Sequence, residues 1–373
     1  MLRRSPLAIK RIDAIPVALP LIKPMTLART RITHAVNLLV RIEAGNGAVG
    51  WGEAATMPTP TGENLQTVAR AMASTIVPFL TGKDARAHAS LIAKLTERPA
   101  LSRAALCATD MALLDLVGHA HGLPVSELLG GRLHDTITPM WLLGGPTLES
   151  DVAEAKRKYR KGYRFFKIKV GAKPLAATIA TLNALRRALG PRVELCADAN
   201  MGLTPRAASA FVRGVARADM LYFEQPFGKK HIKAMACLAR SSKIPLAIDE
   251  SFTGISSLVD HFSARAAHGA AIKSISLGSL AATVAAAAVA DALGMAVNIS
   301  SKIAESSLAG AALVHVAAAI DKTTWGISPT NCYLADDIVR VPLTLERGRL
   351  AVPDGGGLGV EVDTQAVDRL RIR

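Results

Sequence analysis

The stretch from residue 193 to residue 251 repeats one pattern three times: Val193-Glu194-Leu195-Cys196-Ala197-Asp198-Ala199-Asn200, then Met220-Leu221-Tyr222-Phe223-Glu224-Gln225-Pro226, then Leu246-Ala247-Ile248-Asp249-Glu250-Ser251. Each is a short apolar run ended by a carboxylate. Helical spacing fills the intervals, over 205–218 and 229–239. The same alternation extends outward. Strands are expected at 138–143, 165–170, 193–197, 220–223, 246–248, 271–274, 296–299 and 323–325. Helices are expected at 148–159, 175–189, 205–218, 229–239, 258–268, 280–293 and 306–319. Eight strands separated by seven helices predict a parallel sheet, and closing it gives a modified TIM barrel, (β/α)7β, within an α/β fold.

The flanks read differently. Strands are expected at 9–18 and 37–42, with a turn at Gly45-Asn46-Gly47 and a return over 48–51. The proline-containing stretches 19–33 and 53–62 read as loops, and helical spacing follows over 65–80, 85–95 and 102–121. Residues 1–130 therefore predict an α+β capping domain, 131–337 the barrel that carries the active site, and 338–373 a strand-and-turn segment (339–343, 349–352) that packs back on the cap.

Composition narrows the function. Of the 373 residues, 50% are hydrophobic and 20% charged, which is globular composition. Four scattered cysteines without a CxxC pair argue against a disulfide scaffold or zinc ribbon and point to a reducing, cytoplasmic setting. No long apolar run predicts a membrane span, and the basic start lacks the apolar core of a signal peptide. The net charge of +15 is spread along the chain with only 4% aromatics, so nucleic acid is not expected as a partner. Attraction of an anionic substrate is the functional reading of that charge. The glycine run 355–359 has no strand-to-helix context and reads as a turn, not a phosphate loop.

Barrel enzymes build their sites at the C-terminal ends of the strands. Asp198, Glu224 and Asp249 stand there on three successive strands, 26 and 25 residues apart. Three carboxylates on one rim raise each other's pKa, a penalty that a divalent cation removes. All-oxygen ligation selects Mg2+, or Mn2+, over Zn2+. Three unrelated capping acids are the competing reading. On the preceding strand Lys167 and Lys169 share one face by the two-residue period. Their mutual repulsion predicts that at least one is depressed toward neutrality and serves as a general base. Lys273 arrives from the sixth strand, on the other side of the acids.

This ordered set resembles the enolase superfamily, and within it the muconate-lactonizing (muconate cycloisomerase) subgroup. The carriers are Lys167-x-Lys169, Asp198-x-Asn200, Glu224-Gln225-Pro226, Asp249-Glu250-Ser251 and Lys273. Gly50-Trp51-Gly52-Glu53-Ala54, the run 123–131, Thr324-Trp325-Gly326 and Gly357-Leu358-Gly359-Val360 add to it. The resemblance implies that Asp198, Glu224 and Asp249 bind Mg2+, with Asn200 and Glu250 supporting them. It implies that Lys169 and Lys273 are acid/base groups on opposite faces of a small-molecule carboxylate substrate. Lys167 would tune Lys169, and Glu305 would be a relay or orienting group; a helix N-terminal acid is its other reading. The family also suggests a homo-oligomer.

The implied chemistry is proton transfer next to a carboxylate through an enolate, most simply cycloisomerisation (lactonisation). A racemase, epimerase or dehydratase acting on an N-acyl amino acid, hydroxyproline or betaine is the alternative. A non-catalytic binding relative would show degraded lysines or acids, and none is degraded. The seventh strand lacks the histidine of mandelate racemase relatives, and the eighth lacks the Asp-x-Asp of dipeptide epimerases. The chain departs from the subgroup on the rim: Ser276-Leu277-Gly278-Ser279 replaces a Lys-x-Gly-Gly run, Ser300-Ser301-Lys302 a Gly-rich segment, and the run 328–333 a Gly-Pro-Leu-Leu type run. Met25, Met57, Lys23, Arg29 and Arg31 in the two cap loops are candidate substrate contacts.

Overall fold

The structure, a computed structural model, describes residues 5–27, 30–56, 63–171 and 173–372. The cap begins with an antiparallel sheet of β1 (Ile9–Leu27), β2 (Thr30–Ala44) and β3 (Val49–Ala55), in that order. The stretch 19–33, expected as a loop, is instead the far end of this hairpin. Pairing breaks between Pro20 and Met25 and resumes at Met25 opposite Ile32. β1 is an edge strand, where a proline's missing N–H costs no ladder bond, so the prolines shift the register without ending the strand. The start of the second expected loop, Glu53 to Ala55, belongs to β3.

The helix Arg103–His121 lies against β3. Contact is closest at Gly50 and Gly52, where a Cβ would fall 2.2 Å and 1.9 Å from the carbonyl oxygens of Ala112 and Ala108. Those two glycines admit the helix backbone onto the sheet.

The barrel follows β4 (Thr136–Ile137). Its strands are β5 (Trp141–Leu143), β6 (Phe165–Lys169), β7 (Glu194–Asp198), β8 (Tyr222–Glu224), β9 (Leu246–Ile248), β10 (Gly269–Ile272), β11 (Ala296–Ser300) and β12 (Ile327–Ser328). All neighbours pair in parallel. The Met140 N–H donates to the Ile327 carbonyl at 2.8 Å and the Ile327 N–H to Thr138 at 3.0 Å, which closes the ring.

The eighth strand lies later than the expected 323–325. Trp325 is turned into the barrel floor, where it stacks on Tyr222 with ring centroids 4.2 Å apart. Met140, Phe165, Cys196, Tyr222, Ala247 and Trp325 form this plug, separate from the main core. The strand starts only after Gly326, at φ +62°, where a Cβ would lie 2.8 Å from the Thr138 oxygen.

The C-terminal segment divides its contacts. β13 (Leu350–Ala351) pairs with β4 at the barrel, not with the cap, and 339–343 holds only an isolated bridge from Val339 to Val362. The last helix, Thr364–Leu370, does return to the cap, and Arg371 bridges Val17. No helix among the described residues is long and apolar enough to cross a membrane.

Candidate active site

Strand register brings the predicted groups together. Lys169 on β6 stands opposite Asp198 on β7, and Asp198 opposite Glu224 on β8. Register-matched residues of parallel strands point to the same side. Asp249 follows β9 by one residue and completes the row of acids. Lys167, one inward position deeper on β6, donates to Glu224 Oε2 at 2.6 Å. Lys169 Nζ donates to Asp198 Oδ2 at 2.5 Å and Asn200 Oδ1 at 2.7 Å. Lys273, the residue after β10, bridges both carboxylate oxygens of Asp249. Lys167 and Lys169 thus both face inward, as the two-residue period requires.

Each acid takes its countercharge from its own lysine, and this decides the electrostatics. Burial alone would raise the Asp198 carboxyl, but Lys169 and Lys167 outweigh it and hold the group down at about 2. Glu224 is pushed up by burial, with Asp198 and Asp249 adding to it against the pull of Lys167. The expected depression of a lysine pair does not occur at Lys167. Burial acts to lower it, but Glu224 prevails and keeps it above its ordinary range. Lys273 is raised in the same way by Asp249. At Lys167 the carboxylate of Glu224, in hydrogen-bond contact, outweighs the cost of burial.

The groups beside the acids are also ordered. Asp198 Oδ1 accepts the Asn200 N–H at 2.8 Å, and Asn200 Nδ2 donates to Glu250 Oε1 at 3.0 Å. Asn200, Met201 and Gln225 hold positive φ of 41°, 66° and 40° just past the ends of β7 and β8. Such backbone strain in non-glycine residues persists where surrounding contacts over-determine it. At Gln225 they are visible. Its amide donates to the Phe227 carbonyl at 2.7 Å and the Ser251 hydroxyl at 2.8 Å. Its oxygen accepts the N–H groups of Asp249 and Ser251.

Glu305 is buried below the rim. Its carboxylate accepts the Lys302 N–H at 3.0 Å, and burial together with Glu53 pushes it up to about 7. It does not cap the following helix, Ser307–Ala318. Ser306 caps it by accepting the Leu308 N–H at 3.1 Å, and Glu53, from the cap strand β3, accepts the N–H groups of Ser306 and Ala309. Glu305 stands immediately before the N-cap, Ser306, at the N-terminal end of that helix. Lys23 and Arg31 are exposed on the cap hairpin and Met25 is half-buried. Arg29 and Met57 lie outside the described residues. A cavity of about 210 Å³ opens beside Lys169, lined by Leu143, Gly144, Ile168, Lys173 and Thr178 among others.

Among the described residues no three His, Cys, Asp or Glu side chains are gathered round one point as a ready coordination sphere. The donor set nevertheless suits a hard divalent cation. It is all oxygen, it comes from adjacent strands of one rim, and it lies beside Glu250 Oε2, a buried carboxylate oxygen with no hydrogen-bond partner. Three contributors carry no role in the sequence reading: Gln225, whose partners are mostly backbone groups; Glu53, which joins Asn37 in the cap to Ser306 and Ala309 some 250 residues on; and Lys302, which sequence shows only as a departure from the subgroup.

Comparison with known proteins agrees with this geometry. The mandelate racemase / muconate lactonizing enzyme N-terminal domain matches residues 11–130, and the enolase C-terminal domain-like family matches 150–366. Muconate cycloisomerase 1-1 of Acinetobacter lwoffii is 31% identical over 98% of this chain and 97% of its own. The L-Ala-D/L-Glu epimerase of Bacillus subtilis is 28% identical over 94% of this chain and 96% of its own. The crystal structure of a muconate lactonizing enzyme from Pseudomonas fluorescens, complexed with muconolactone, superposes with a TM-score of 0.94 at 28% identity, covering 99% of this chain and all of that one. The chain belongs to the mandelate racemase / muconate lactonizing enzyme family and is an enzyme of the enolase superfamily, muconate cycloisomerase-like in sequence and fold.

Proposed function

We propose that this enzyme moves a proton to and from a carbon next to a carboxylate with Mg2+ held by Asp198, Glu224 and Asp249, most simply as a muconate-type cycloisomerase. The observation that carries the reading is the position of Lys169 and Lys273 on opposite sides of three acids from adjacent strands. A bound Mg2+ (or Mn2+, which takes the same oxygen donors) supplies a fixed positive charge for the substrate carboxylate and for the negative charge that builds on it.

The chain's own groups do the rest. As the substrate ring closes, one carboxylate oxygen adds to the diene, and the displaced electron pair moves to the carbon next to the other carboxylate. The ammonium of Lys169 or of Lys273 gives that carbon its proton and is left as the amine; in reverse the amine takes the proton back. Lys167, ion-paired to Glu224 and buried, adds positive charge beneath the reacting centre. Gln225 and Asn200 hold the rim backbone so that no reorganisation is needed during the step.

A second reading has its own support. Lysines on both faces suit removal of a proton from one side and its return on the other, as in a racemase or epimerase, and an epimerase is among the relatives. The cytoplasm suits four free thiols, two of them buried. The deciding experiment incubates the enzyme and Mg2+ with cis,cis-muconate in deuterium oxide. Loss of diene absorbance with one deuterium in the lactone supports cycloisomerisation. Deuterium at the α-carbon of an N-acyl amino acid without ring closure supports the second reading. No exchange with any carboxylate defeats both.

A further inference from the structure

The loop between β11 and the helix Ser307–Ala318 carries Glu305 and turns without a glycine, since none occurs from residue 295 to residue 309. Ala304 takes the left-handed conformation instead, at φ +61°, and is fully buried. A residue with a Cβ resists that conformation, so its surroundings must hold it there. The barrel side pins the neighbours of Ala304. The Ser301 N–H donates to the Ser328 carbonyl at 3.1 Å, the Thr330 hydroxyl donates to the Lys302 carbonyl at 2.6 Å, and the Glu305 N–H donates to that hydroxyl at 3.1 Å.

The hydrogen bond at Ala304 comes from the cap. Asn37, on the middle strand β2, donates from Nδ2 to the Ala304 carbonyl at 3.0 Å and to Glu53 Oε1 at 2.5 Å. Glu53 in turn accepts the Ser306 N–H at 3.0 Å. The residues on both sides of Glu305 are thus tied to one cap side chain, directly at Ala304 and through Glu53 at Ser306. Asn37 is fully buried, yet its own oxygen has no hydrogen-bond partner. An unmet buried acceptor is costly, so the fold keeps this amide for its donors.

We propose that Asn37 is a positioning residue for the reaction: with both donors engaged it holds Ala304 left-handed and so fixes the Glu305 carboxylate under the rim. The proposal rests on the proton-transfer reading above and on the relay or orienting role that the family resemblance implies for Glu305.

The test measures turnover of cis,cis-muconate, or α-deuterium exchange of an N-acyl amino acid, by the magnesium-loaded enzyme. Rates are taken per folded molecule, counted by the stoichiometry of Mg2+ binding in calorimetry. Asn37→Leu removes both donors at similar volume. Its kcat is expected to fall about tenfold, the population that a left-handed alanine loses once unclamped, with KM and Mg2+ affinity within about threefold of wild type. Adding Ala304→Gly is expected to bring kcat back to within about threefold of wild type, because glycine adopts a positive φ without a clamp.

An unchanged kcat in Asn37→Leu overturns the proposal. So does a fall that Ala304→Gly leaves in place, which marks a packing role for Asn37. A rise in KM at constant kcat also overturns it, since the cap then acts on substrate binding alone. Asn37→Ala carries the same comparison where leucine spoils the fold. If wild type neither closes muconate nor exchanges α-hydrogen, the proton-transfer reading falls and takes the proposal with it. If wild type turns over and the variant matches it, the proposal alone falls.

Discussion

The side-chain oxygen of Gln225 accepts the backbone N–H of Asp249 at 2.9 Å, and also that of Ser251 at 2.9 Å, so a residue just past β8 fixes the end of β9. Gln225 is fully buried. Its replacement by leucine leaves two buried N–H groups without acceptors, each costing about 1–3 kcal/mol. Gln225→Leu is expected to lose about 3 kcal/mol of stability in urea unfolding and to weaken divalent-ion binding measured by calorimetry. A variant as stable as wild type would mean the rim is held by other contacts.

Asp249→Asn removes one carboxylate of the proposed ion site and the partner of Lys273. Magnesium-dependent turnover of muconate should drop by at least about a hundredfold, the scale of a lost charge-stabilising group. Unchanged turnover over a range of Mg2+ concentrations would remove Asp249 from the ion site.

Lys169→Ala and Lys273→Ala separate the two faces. Loss of a positioned acid or base costs about 10² to 10⁴ in rate. In cycloisomerisation one variant should lose deuterium incorporation from solvent while the other retains it in the lactone. In racemisation, each variant should retain exchange of only one enantiomer. Nuclear magnetic resonance of the α-hydrogen reads both outcomes, and full exchange in both variants would exclude these lysines.

Glu53 joins the cap to the barrel. Its carboxylate accepts from Asn37 Nδ2 at 2.5 Å and from the Ser306 N–H at 3.0 Å, Ala309 N–H at 3.3 Å and Ser306 hydroxyl. Glu53→Ala strands these buried donors. Unfolding in urea should show a loss of about 3 kcal/mol or more, and limited proteolysis should release the cap earlier than in wild type.

His315 gives a pH dependence of known sign. Its Nε2 faces the Leu358 carbonyl at 3.1 Å, and burial holds the imidazole down at about 4. In the unfolded chain the ring titrates near its ordinary value of about 6.5. Between those values the unfolded state binds a proton that the folded state refuses. The contribution of His315 is therefore complete above about pH 6.5 and is lost as pH falls toward 4, by up to about 1.4 kcal/mol per unit. His315→Gln lacks this loss, so its stability deficit relative to wild type should narrow from pH 7 to pH 4.5 in urea titrations. A constant deficit would refute the assignment.

Much of the site was legible because its information is local. A strand of period two puts Lys167 and Lys169 on one face whatever surrounds them, and a repeated β/α unit puts Asp198, Glu224 and Asp249 on one rim. The cap hairpin was misread because Pro20 and Pro24 signal a break, and only the edge position of β1 makes them harmless. The eighth strand was placed too early because Trp325 has strand character, but its ring is needed to plug the barrel floor against Tyr222.

By itself, then, the sequence determined the barrel, the order of acids and lysines along it, and the family they indicate. Tertiary structure alone decided the charge state and the supports of the site. Whether a lysine is lowered or raised depends on the burial and the charges that folding brings to it, so Lys167 rises against Glu224 while burial, with Lys273 adding to it, lowers Lys302. Likewise Glu53 reaches Ser306 across some 250 residues of chain, and electrostatics and buried hydrogen bonds depend on distance in space, which no spacing along a chain encodes.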